Sequence, residues 1–434
     1  MKSLIDSIPE NRVANLWQSG LLSGVPLVSE DGKQVEIIYP GRRNDDRGAD
    51  FRDAVILIDR EILKGDVEIH VRSSGWTEHG HHRDTEYNTV ILHVTVYHNA
   101  KIHTVLQNGK IVPVLALEKH QDILADLRSG EEFSARKINM PCYGCFRRQD
   151  GDTLLKFVNR SGEERFVMKA ELFQGDIIRL GPGQSLYRGI MGALGYSKNK
   201  QPCMELARRL PLKILESADG NKISDEDYLV NRQALLLGTA GLLPTSDEKW
   251  NQDGRSVNRR REKTWWIQSL PPQIRPMSAD KWCMFKVRPN NSPVRRLVAV
   301  SYLMLRYREK GLLDGLLGLV GDVSLSRGHR ELEKGLRVNF LGSGRAADIA
   351  INVLLPFTFA WSRHTSTPEI GERALYLFRN YPGTEFNSIE RHLSEQLGLD
   401  RDHVNSAARQ QGLIHIYKNL CTQGRCTNCE LGKL

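Results

Sequence analysis

The chain has 434 residues, of which 40% are hydrophobic and 26% charged, so collagen-like, low-complexity and wholly disordered chains are excluded. At roughly 100 to 200 residues per domain, this length accommodates two to four domains. The formal net charge is +9, but residues 251–310 hold fourteen Lys or Arg against four acidic residues, a local +10. This block predicts a polyanionic partner such as nucleic acid, although a solvated basic surface gives the same count.

The first 125 residues predict a sheet-rich domain that one short helix, at residues 13–17, precedes. Hydrophobic alternation at 35–39, 54–58, 66–71 and 89–97 is the pattern of β-strands. Two further runs, at 101–106 and 110–117, have Asn and Gly at their turns. We therefore expect a sheet domain over residues 1–125.

Residues 126–185 predict a mixed connecting segment, and residues 186–434 predict a mainly helical domain. The connecting segment contains a helical piece, a strand pair near 153–167 and a Gly-Pro-Gly turn at 181–183. Periodicity predicts helices at 185–194, 202–216, 226–241, 292–310, 327–337, 346–360, 367–380 and 386–397. Between two of these helices, we expect residues 245–290 to form an irregular excursion, a segment without regular secondary structure. The expected fold class is α+β or α/β, with a sheet domain followed by a helical one.

The chain contains no run near 18 apolar residues, since the best candidate, residues 350–361, contains Pro356. We therefore expect no membrane span and no membrane partner. The charged start MKSLIDSIPENR lacks the apolar core of a signal peptide, and seven cysteines without small-scaffold spacing fit a reducing compartment. These features predict a cytoplasmic location.

The densest chemistry lies in GDVEIHVRSSGW, which ends at Trp76, and in the histidine-rich stretch that follows. Seven of the thirteen histidines fall between residues 70 and 103. If residues 66–72 form a strand, its period of two places one set of side chains on a single face. That set is Asp66, Glu68, His70 and Arg72.

Asp50 and Glu68, on adjacent strands, suit a hard divalent cation such as Mg²⁺. Such an ion polarises a phosphate and lowers the pKa of bound water, which is the chemistry of phosphodiester hydrolysis. His70 would position or deprotonate that water, and Arg72 would stabilise charge on the phosphate. The alternative is that these residues line the solvated face of an amphipathic strand.

Further histidines strengthen the case for a site. His79, His81, His82 and Asp84 follow within sixteen residues of Glu68. His93 interrupts an apolar strand, where a buried polar group without a partner costs about 1 to 3 kcal/mol, so we expect it to have one. Imidazoles with carboxylates also suit Zn, Mn or Fe, which leaves open a transition-metal enzyme acting on small molecules.

Several blocks along the chain resemble a bacterial protein family known only as a domain of unknown function. The blocks are Gly48-Ala49-Asp50-Phe51 with Asn44, GDVEIH with Trp76, residues 79–84 with YNTVILHV, Pro141-Cys142, Leu194-Gly195-Tyr196 with Asn199, residues 238–243, Arg288-Pro289-Asn290-Asn291 with Pro293, Arg295 and Arg296, Asn352 with Leu355-Pro356-Phe357, Gln411-Gly412-Leu413, and the terminal cysteines. The resemblance runs nearly from end to end.

The amino-terminal part is similar to the PD-(D/E)XK nuclease superfamily, in which a short helix precedes a small sheet that carries the catalytic acids. The resemblance implies that Asp50 is the first acid and Glu68 the second. His70 stands at the position of the superfamily's lysine and Ala49 at that of its proline. Glu10, on the first helix, would supply a further acid. Because the superfamily's lysine is absent, an alternative interpretation is a non-catalytic nucleic-acid-binding protein with a degenerate nuclease fold.

The carboxyl-terminal tail contains Cys421, Cys426 and Cys429 in the spacing C-x4-C-x2-C, which suits tetrahedral Zn²⁺. A zinc site needs one more ligand than these three. The candidates for it are His415, Cys203, Cys283, Cys142 and Cys145. An iron–sulfur cluster and ordinary thiols are the alternatives.

The basic block places cations beside planar rings, an arrangement that binds single-stranded nucleic acid. Its candidate binding residues are Arg259, Arg260, Arg261, Trp265, Trp266, Arg288, Arg295 and Arg296. The alternative is that the tryptophans pack in the helical core. The sequence as a whole predicts metal-dependent hydrolysis of nucleic acid with Mg²⁺ or Mn²⁺ at Asp50 and Glu68.

Overall fold

The computed structural model describes residues 8–100, 103–128, 142–148, 151–217, 223–243, 274–284, 287 and 291–433. The chain forms two compact units. The sheet unit comprises Met1–Gly162, Phe386–Val404 and Gly412–Leu434, and the helical unit comprises Glu163–Glu385 and Asn405–Gln411. The expected α+β class, with a sheet near the amino terminus and a mainly helical remainder, is confirmed.

The elements follow in chain order. The strands are β1 Leu27–Val28, β2 Gln34–Tyr39, β3 Arg42–Arg43, β4 Phe51–Ile58, β5 Glu61–Arg72, β6 Val90–Tyr97, β7 Thr104–Val105, β8 Ile111–Val112 and β9 Val114–Ala116. The helices are α1 Glu10–Gln18, α2 Gly75–Glu78, α3 Gln121–Arg128, α4 Cys145–Arg148, α5 Gly151–Leu180, α6 Pro182–Leu194, α7 Tyr196–Arg209, α8 Leu212–Ser217, α9 Asp225–Thr239, α10 Pro293–Arg306, α11 Leu312–Asp322, α12 Gly328–Leu336, α13 Ser343–Ile349, α14 Leu355–Thr365, α15 Pro368–Arg379, α16 Ser388–Leu397, α17 Ala407–Asn419 and α18 Glu430–Lys433.

The main sheet is mixed. Its strand order is β1-β2-β4-β5-β6-β9, with β3 paired to β4. The neighbours from β1 to β5 are antiparallel, whereas β5, β6 and β9 run parallel. The strands expected at 35–39, 54–58, 66–71 and 89–97 are confirmed, because β-branched and aliphatic residues alternate along them and pack on the sheet. Pro113 separates β8 from β9 within the run expected at 110–117.

One face of the sheet packs on α1 and α3. Trp17 of α1 is 1% exposed and lies in this core with Val67 and Ile69 of β5. Burying side chains of this kind stabilises the fold by about 1.5 to 3 kcal/mol each. Because side chains alternate along a strand, Glu68 and His70 project from the opposite face of β5, as expected.

The predicted strand pair near 153–167 is wrong, because α5 runs without interruption through these residues. The buried residues Leu154, Val158 and Phe166 follow one another at helical rather than strand spacing. Thr153 and Val167 are β-branched, which gave the segment its strand character in sequence. Burial of one helical stripe decides the structure here.

The helical unit has its own core, which α6, α9, α10 and α14 help to form. The helix expected at 202–216 is broken, since Pro211 separates α7 from α8. The sequence did not predict α11, in which glycines lower the helix propensity. Its Leu312, Leu316 and Val320 are nevertheless buried at spacings of four, and this packing stabilises the helix.

Much of the expected excursion at 245–290 lies outside the described residues. In the part that is described, Trp282 is buried and its Nε1 donates to the carbonyl oxygen of Ala240 at 2.8 Å. The helix expected at 292–310 is confirmed as α10. Among the described residues, no helix combines the length and the apolar character that crossing a bilayer demands.

Candidate metal centre

Three acidic residues lie near the same part of β5. Asp50 immediately precedes β4, Glu68 lies within β5, and Glu10 is the first residue of α1. The amide of Asp50 donates to Glu68 Oε2 at 3.1 Å, and the amide of Ile69 donates to Asp50 Oδ2 at 2.9 Å. Glu10 accepts from the amide of Val71. Backbone hydrogen bonds therefore orient all three acids.

The three acids influence one another electrostatically. Burial, and then the charge of Asp50 and Glu10, raise the pKa of Glu68 to about 9. Burial also raises the pKa of Asp50, and burial together with Asp50 raises that of Glu10. Arg43 opposes the shift at Asp50. An acid cluster that protonates in this way is a site at which a bound cation would displace protons.

A chain of hydrogen-bonded histidines lies beside the acids. His70 Nδ1 is 2.9 Å from His93 Nε2, and His70 Nε2 is 3.1 Å from His79 Nδ1. His93 Nδ1 in turn contacts Thr104 Oγ1 at 2.8 Å, which supplies the partner expected for His93. Burial lowers the pKa of His70 to about 2 and that of His93 to about 3. Both imidazoles are therefore neutral.

His81 faces the acids directly. Its Nε2 lies 3.1 Å from Glu68 Oε1, yet this nitrogen is buried and has no hydrogen-bond partner among the described residues. The short distance therefore does not have the geometry of a hydrogen bond. The ring of His81 stacks on Tyr87 with centroids 3.9 Å apart, and Trp76 packs edge-on against both rings. These aromatic contacts hold the imidazole toward Glu68.

Gly75 is required by this packing. A Cβ added there would lie 2.7 Å from Cδ2 of His70, closer than side-chain contacts allow. The start of α2 therefore passes directly over the His70 ring. This close approach explains a glycine at the first position of a helix, where it otherwise weakens helix formation.

The other residues predicted for this site have different surroundings. Asp66 accepts from Arg52, Thr89 and the amide of Asp53, so it fixes the β4–β5 register rather than facing the site. Arg72 is exposed at the end of β5. Asp84 caps the turn at residues 85–87 and forms a salt bridge with Arg47 at 2.8 Å. His82 has a buried Nδ1 that has no hydrogen-bond partner among the described residues.

The sequence missed three contributors to the site. Thr104 carries no pattern that distinguishes it from other strand threonines. Tyr87 was noted only as part of a resemblance block, although burial and the charge of Glu68 raise its pKa. Arg43 sits next to Asp50 because β3 pairs with β4, and Asn11 and Asn15 of α1 hold its guanidinium. The proximity of Arg43 to Asp50 follows only from the pairing of β3 with β4, which the sequence did not predict.

The donor set fits a divalent metal ion. The ligand nitrogens of His70, His79 and His81 lie within 4.8 Å of one another. Glu68 contacts this group through His81, and its Oε1 lies 3.7 Å from His70 Nε2. Imidazole nitrogens next to carboxylate oxygens suit Mn²⁺, Fe²⁺ or Zn²⁺ better than Mg²⁺, which prefers oxygen alone.

The residues predicted to bind nucleic acid are only partly described. Arg259, Arg260, Arg261, Trp265, Trp266 and Arg288 lie outside the described residues. Arg296 is buried and donates to Asn291 Oδ1 at 2.7 Å and to the carbonyl oxygen of Phe340 at 3.2 Å. Arg295 lies over the Phe340 ring. In the structure, Arg296 thus serves packing within the helical unit.

Comparison with known proteins places the chain in a family. No curated protein and no solved structure matches it. The profile of the family described as "Protein of unknown function (DUF2851)" matches residues 10–318, more than half of the chain. The matched region begins at Glu10 and includes the acids and histidines described above. The chain therefore belongs to the DUF2851 family.

Proposed function

We propose that the protein is a metal-dependent phosphodiesterase that acts on nucleic acid. The observation that carries the proposal is the pair Asp50 and Glu68, which backbone hydrogen bonds orient near Glu10. His81 Nε2 lies 3.1 Å from Glu68 Oε1 and has no hydrogen-bond partner among the described residues. Buried carboxylates are costly unless a cation or proton neutralises them. A divalent cation would neutralise the carboxylates and would also allow the site to catalyse phosphodiester hydrolysis.

The topology around the acids supports the nuclease-like reading. A helix, α1, precedes an antiparallel series of β2, β4 and β5, and β6 then adds parallel to β5. This order agrees with the helix and small acid-bearing sheet of the PD-(D/E)XK superfamily that the sequence resembles. In this proposal Asp50 and Glu68 are the two acids that the resemblance implies, and Glu10 is the additional one. Asp50 immediately precedes β4, Glu68 lies within β5 and Glu10 begins α1.

We assign metal binding to Asp50, Glu68 and His81, with Glu10 at the edge of the site. A bound ion would polarise a phosphate oxygen and lower the pKa of a coordinated water. Arg43, beside Asp50, is placed to pair with a neighbouring phosphate of the substrate. Arg72, which lies exposed at the end of β5, is the second arginine near the acids to which the proposal gives this role.

His70 has a positioning role in this proposal rather than that of a permanent charge. Both of its nitrogens engage other histidines, and the imidazole is neutral. It therefore does not replace the lysine of the superfamily in charge. It orients His79, which is exposed and available to take a proton from an attacking water.

A transition-metal enzyme acting on small molecules is the second candidate. The close group of His70, His79 and His81 favours it, since three imidazoles suit iron or zinc. In that case the bound metal would be iron or zinc, and nucleic acids would not be cleaved. The experiment below separates the two candidates by substrate and by metal.

The test is incubation of the full chain with labelled single- and double-stranded DNA and RNA in Mg²⁺, Mn²⁺ or EDTA. We expect cleavage that needs the metal and that falls by about 100-fold or more in Glu68→Gln, which removes a metal ligand at nearly constant volume. Asp66→Asn is the matched control. Asp66 is also a buried carboxylate and lies two residues before Glu68 on the same strand. It forms a salt bridge with Arg52 and is not assigned to the metal site.

Cleavage that Glu68→Gln and Asp66→Asn reduce equally, with both variants folded, would contradict the assignment of Glu68. Salt-sensitive binding without cleavage in any metal would overturn hydrolysis in favour of a degenerate nuclease fold that binds nucleic acid. Copurified iron or zinc at the histidines, with neither binding nor cleavage, would favour the small-molecule enzyme.

A further inference from the structure

Four cysteines from distant parts of the chain gather in the sheet unit. Cys142 precedes α4, and Cys421, Cys426 and Cys429 lie in the tail between α17 and α18. Cys421 and Cys429 are buried in one hydrophobic core with Tyr39 of β2, and Cys142 packs against that core. We call these four residues the cysteine cluster.

Each segment of the cluster is folded into a tight turn that begins at a cysteine. The amide of Cys145 donates to the carbonyl oxygen of Cys142 at 3.3 Å, with Gly144 between them at φ 61°. In the tail, Gly424 has φ 68° and its amide donates to the carbonyl oxygen of Cys421 at 3.0 Å. A further turn joins Cys426 to Cys429 at 3.2 Å.

The tail is seated against the sheet at Gly424. A Cβ at this glycine would lie 3.0 Å from Val55 Cγ1 and 3.3 Å from Ile38 Cγ2, so the backbone itself touches β4 and β2. Lys64 Nζ also donates to Gln423 Oε1 at 2.6 Å. These contacts fix the second of the turns, and with it Cys421, relative to the sheet.

The thiols are close enough to affect one another electrostatically. Burial, and then the neighbouring Cys426, Cys145 and Cys429, raise the pKa of Cys142 to about 12. Burial, followed by Cys142, Cys426 and Cys429, raises the pKa of Cys421.

Hydrogen bonding distinguishes Cys142 from its neighbour Cys145. Gln396 Nε2 donates to Cys142 Sγ at 3.0 Å, and such donors support a thiolate ligand. Cys145 Sγ instead donates to the carbonyl oxygen of Leu397 at 3.9 Å, as a thiol does. The other candidates are less suited: Cys203 and Cys283 belong to the helical unit, and His415 is hydrogen-bonded to Asn419 in α17.

We propose that Cys142, Cys421, Cys426 and Cys429 form one structural zinc site, in which Cys142 is the fourth ligand that the tail lacks. The set provides the four sulfur ligands of a closed tetrahedral site. Its role is to fasten residues 142–148 and the carboxyl-terminal tail to the sheet. The site is independent of the proposed hydrolysis, because it shares no residue with the acids and histidines.

The experiment measures zinc per chain in full-length protein produced with added zinc, by elemental mass spectrometry after dialysis against a weak chelator. We expect the wild type and Cys145→Ser to hold one zinc per chain at the cysteines, in addition to any metal at the histidines, and Cys142→Ser to retain the cysteine-bound zinc at least about tenfold more weakly. Glu68→Gln should keep this zinc, which separates it from metal at the histidines. Cys142→His, which restores a fourth ligand, should recover most of the binding.

Cobalt substitution provides a second readout. Co²⁺ in place of zinc should give thiolate charge-transfer absorption that weakens in Cys142→Ser and persists in Cys145→Ser. The proposal is overturned if Cys142→Ser retains zinc like the wild type, if Cys145→Ser loses it equally, or if no zinc binds. Iron and sulfide that depend on the same cysteines would overturn zinc as the metal.

Discussion

At the scale of single residues, the acids and the histidines are held by different means. Glu68 and Asp50 each accept a hydrogen bond from a backbone amide, so the backbone of the sheet fixes their orientation. His70 and His93 are instead fixed by one another and by Thr104. The spacing of Glu68 and His70 along one strand was predictable, because a strand has a period of two. The role of His70 was not, because its two hydrogen bonds depend on a neighbouring strand and a loop.

The protonation of Glu68 predicts a pH dependence of metal binding. Its pKa of about 9 means that the carboxyl is protonated at pH 7 and must release a proton to bind a cation. We therefore expect Mn²⁺ affinity to rise by about tenfold per pH unit between pH 6.5 and 8.5. Calorimetric titration in buffers of different ionisation enthalpy measures both the affinity and the proton release.

The control for this titration is Asp66→Asn, which should show the same slope with pH. An affinity that does not change over this range, or that falls as pH rises, would contradict the assignment of Glu68 as a ligand. Glu68→Gln should bind Mn²⁺ weakly at every pH.

At the scale of elements, α5 and α16 show what local sequence can and cannot specify. α5 was mistaken for strands because Thr153 and Val167 favour sheet, and only its buried stripe reveals a helix. The expected helix at 386–397 is confirmed as α16, whose start is encoded locally. Asn387 accepts from the amides of Ile389 and Glu390, and Glu390 accepts from the amide of Asn387.

This capping box predicts a measurable loss of stability in Asn387→Ala. The substitution leaves two amides of the first turn without their side-chain acceptor, which costs about 1 kcal/mol. Urea unfolding followed by circular dichroism measures the change. Glu395→Ala, at an exposed position of the same helix, is the control and should shift stability by less than about 0.5 kcal/mol. Equal losses in the two variants would show that the cap contributes nothing specific.

At the scale of the whole molecule, the sequence predicted a sheet region and a helical region, but not which distant segments of the chain belong to each unit. The cysteine tail lies in the sheet unit with residues far away in sequence. Hydrophobic periodicity describes each segment separately, whereas the proximity of Cys142 to Cys421 depends on long-range packing around Tyr39. The mixed fold class needed only local patterns, and was therefore predictable.

Buried neutral histidines predict that the fold loses stability in acid. The pKa of His70, His93 and His392 is lowered to about 2, 3 and 4, in each case mainly by burial. The unfolded chain takes up protons below about pH 6.5 while the folded chain does not, so stability present above that pH is lost as pH falls. We expect the free energy of unfolding to fall by about 2 kcal/mol or more between pH 7 and 5.

Glu68 opposes this trend, because its raised pKa makes the metal-free fold lose stability as pH rises from about 4.5 to 9. The measurement is therefore best made by urea unfolding in the Glu68→Gln background, in which that titration is absent. A free energy of unfolding that stays constant or rises from pH 7 to 5 in this background would contradict the neutral state of the histidines.

The parallel pairing of β5 with β6 separates the two halves of the candidate site. Because the strands run in the same direction, residues 73–89 must carry the chain back along the sheet, and His79 and His81 lie on this return. Glu68 and Asp50, by contrast, belong to the sheet and its immediate approach. A return segment of different length or composition, placed between Arg72 and Val90, would therefore change the positions of His79 and His81, while Glu68 and Asp50 keep theirs.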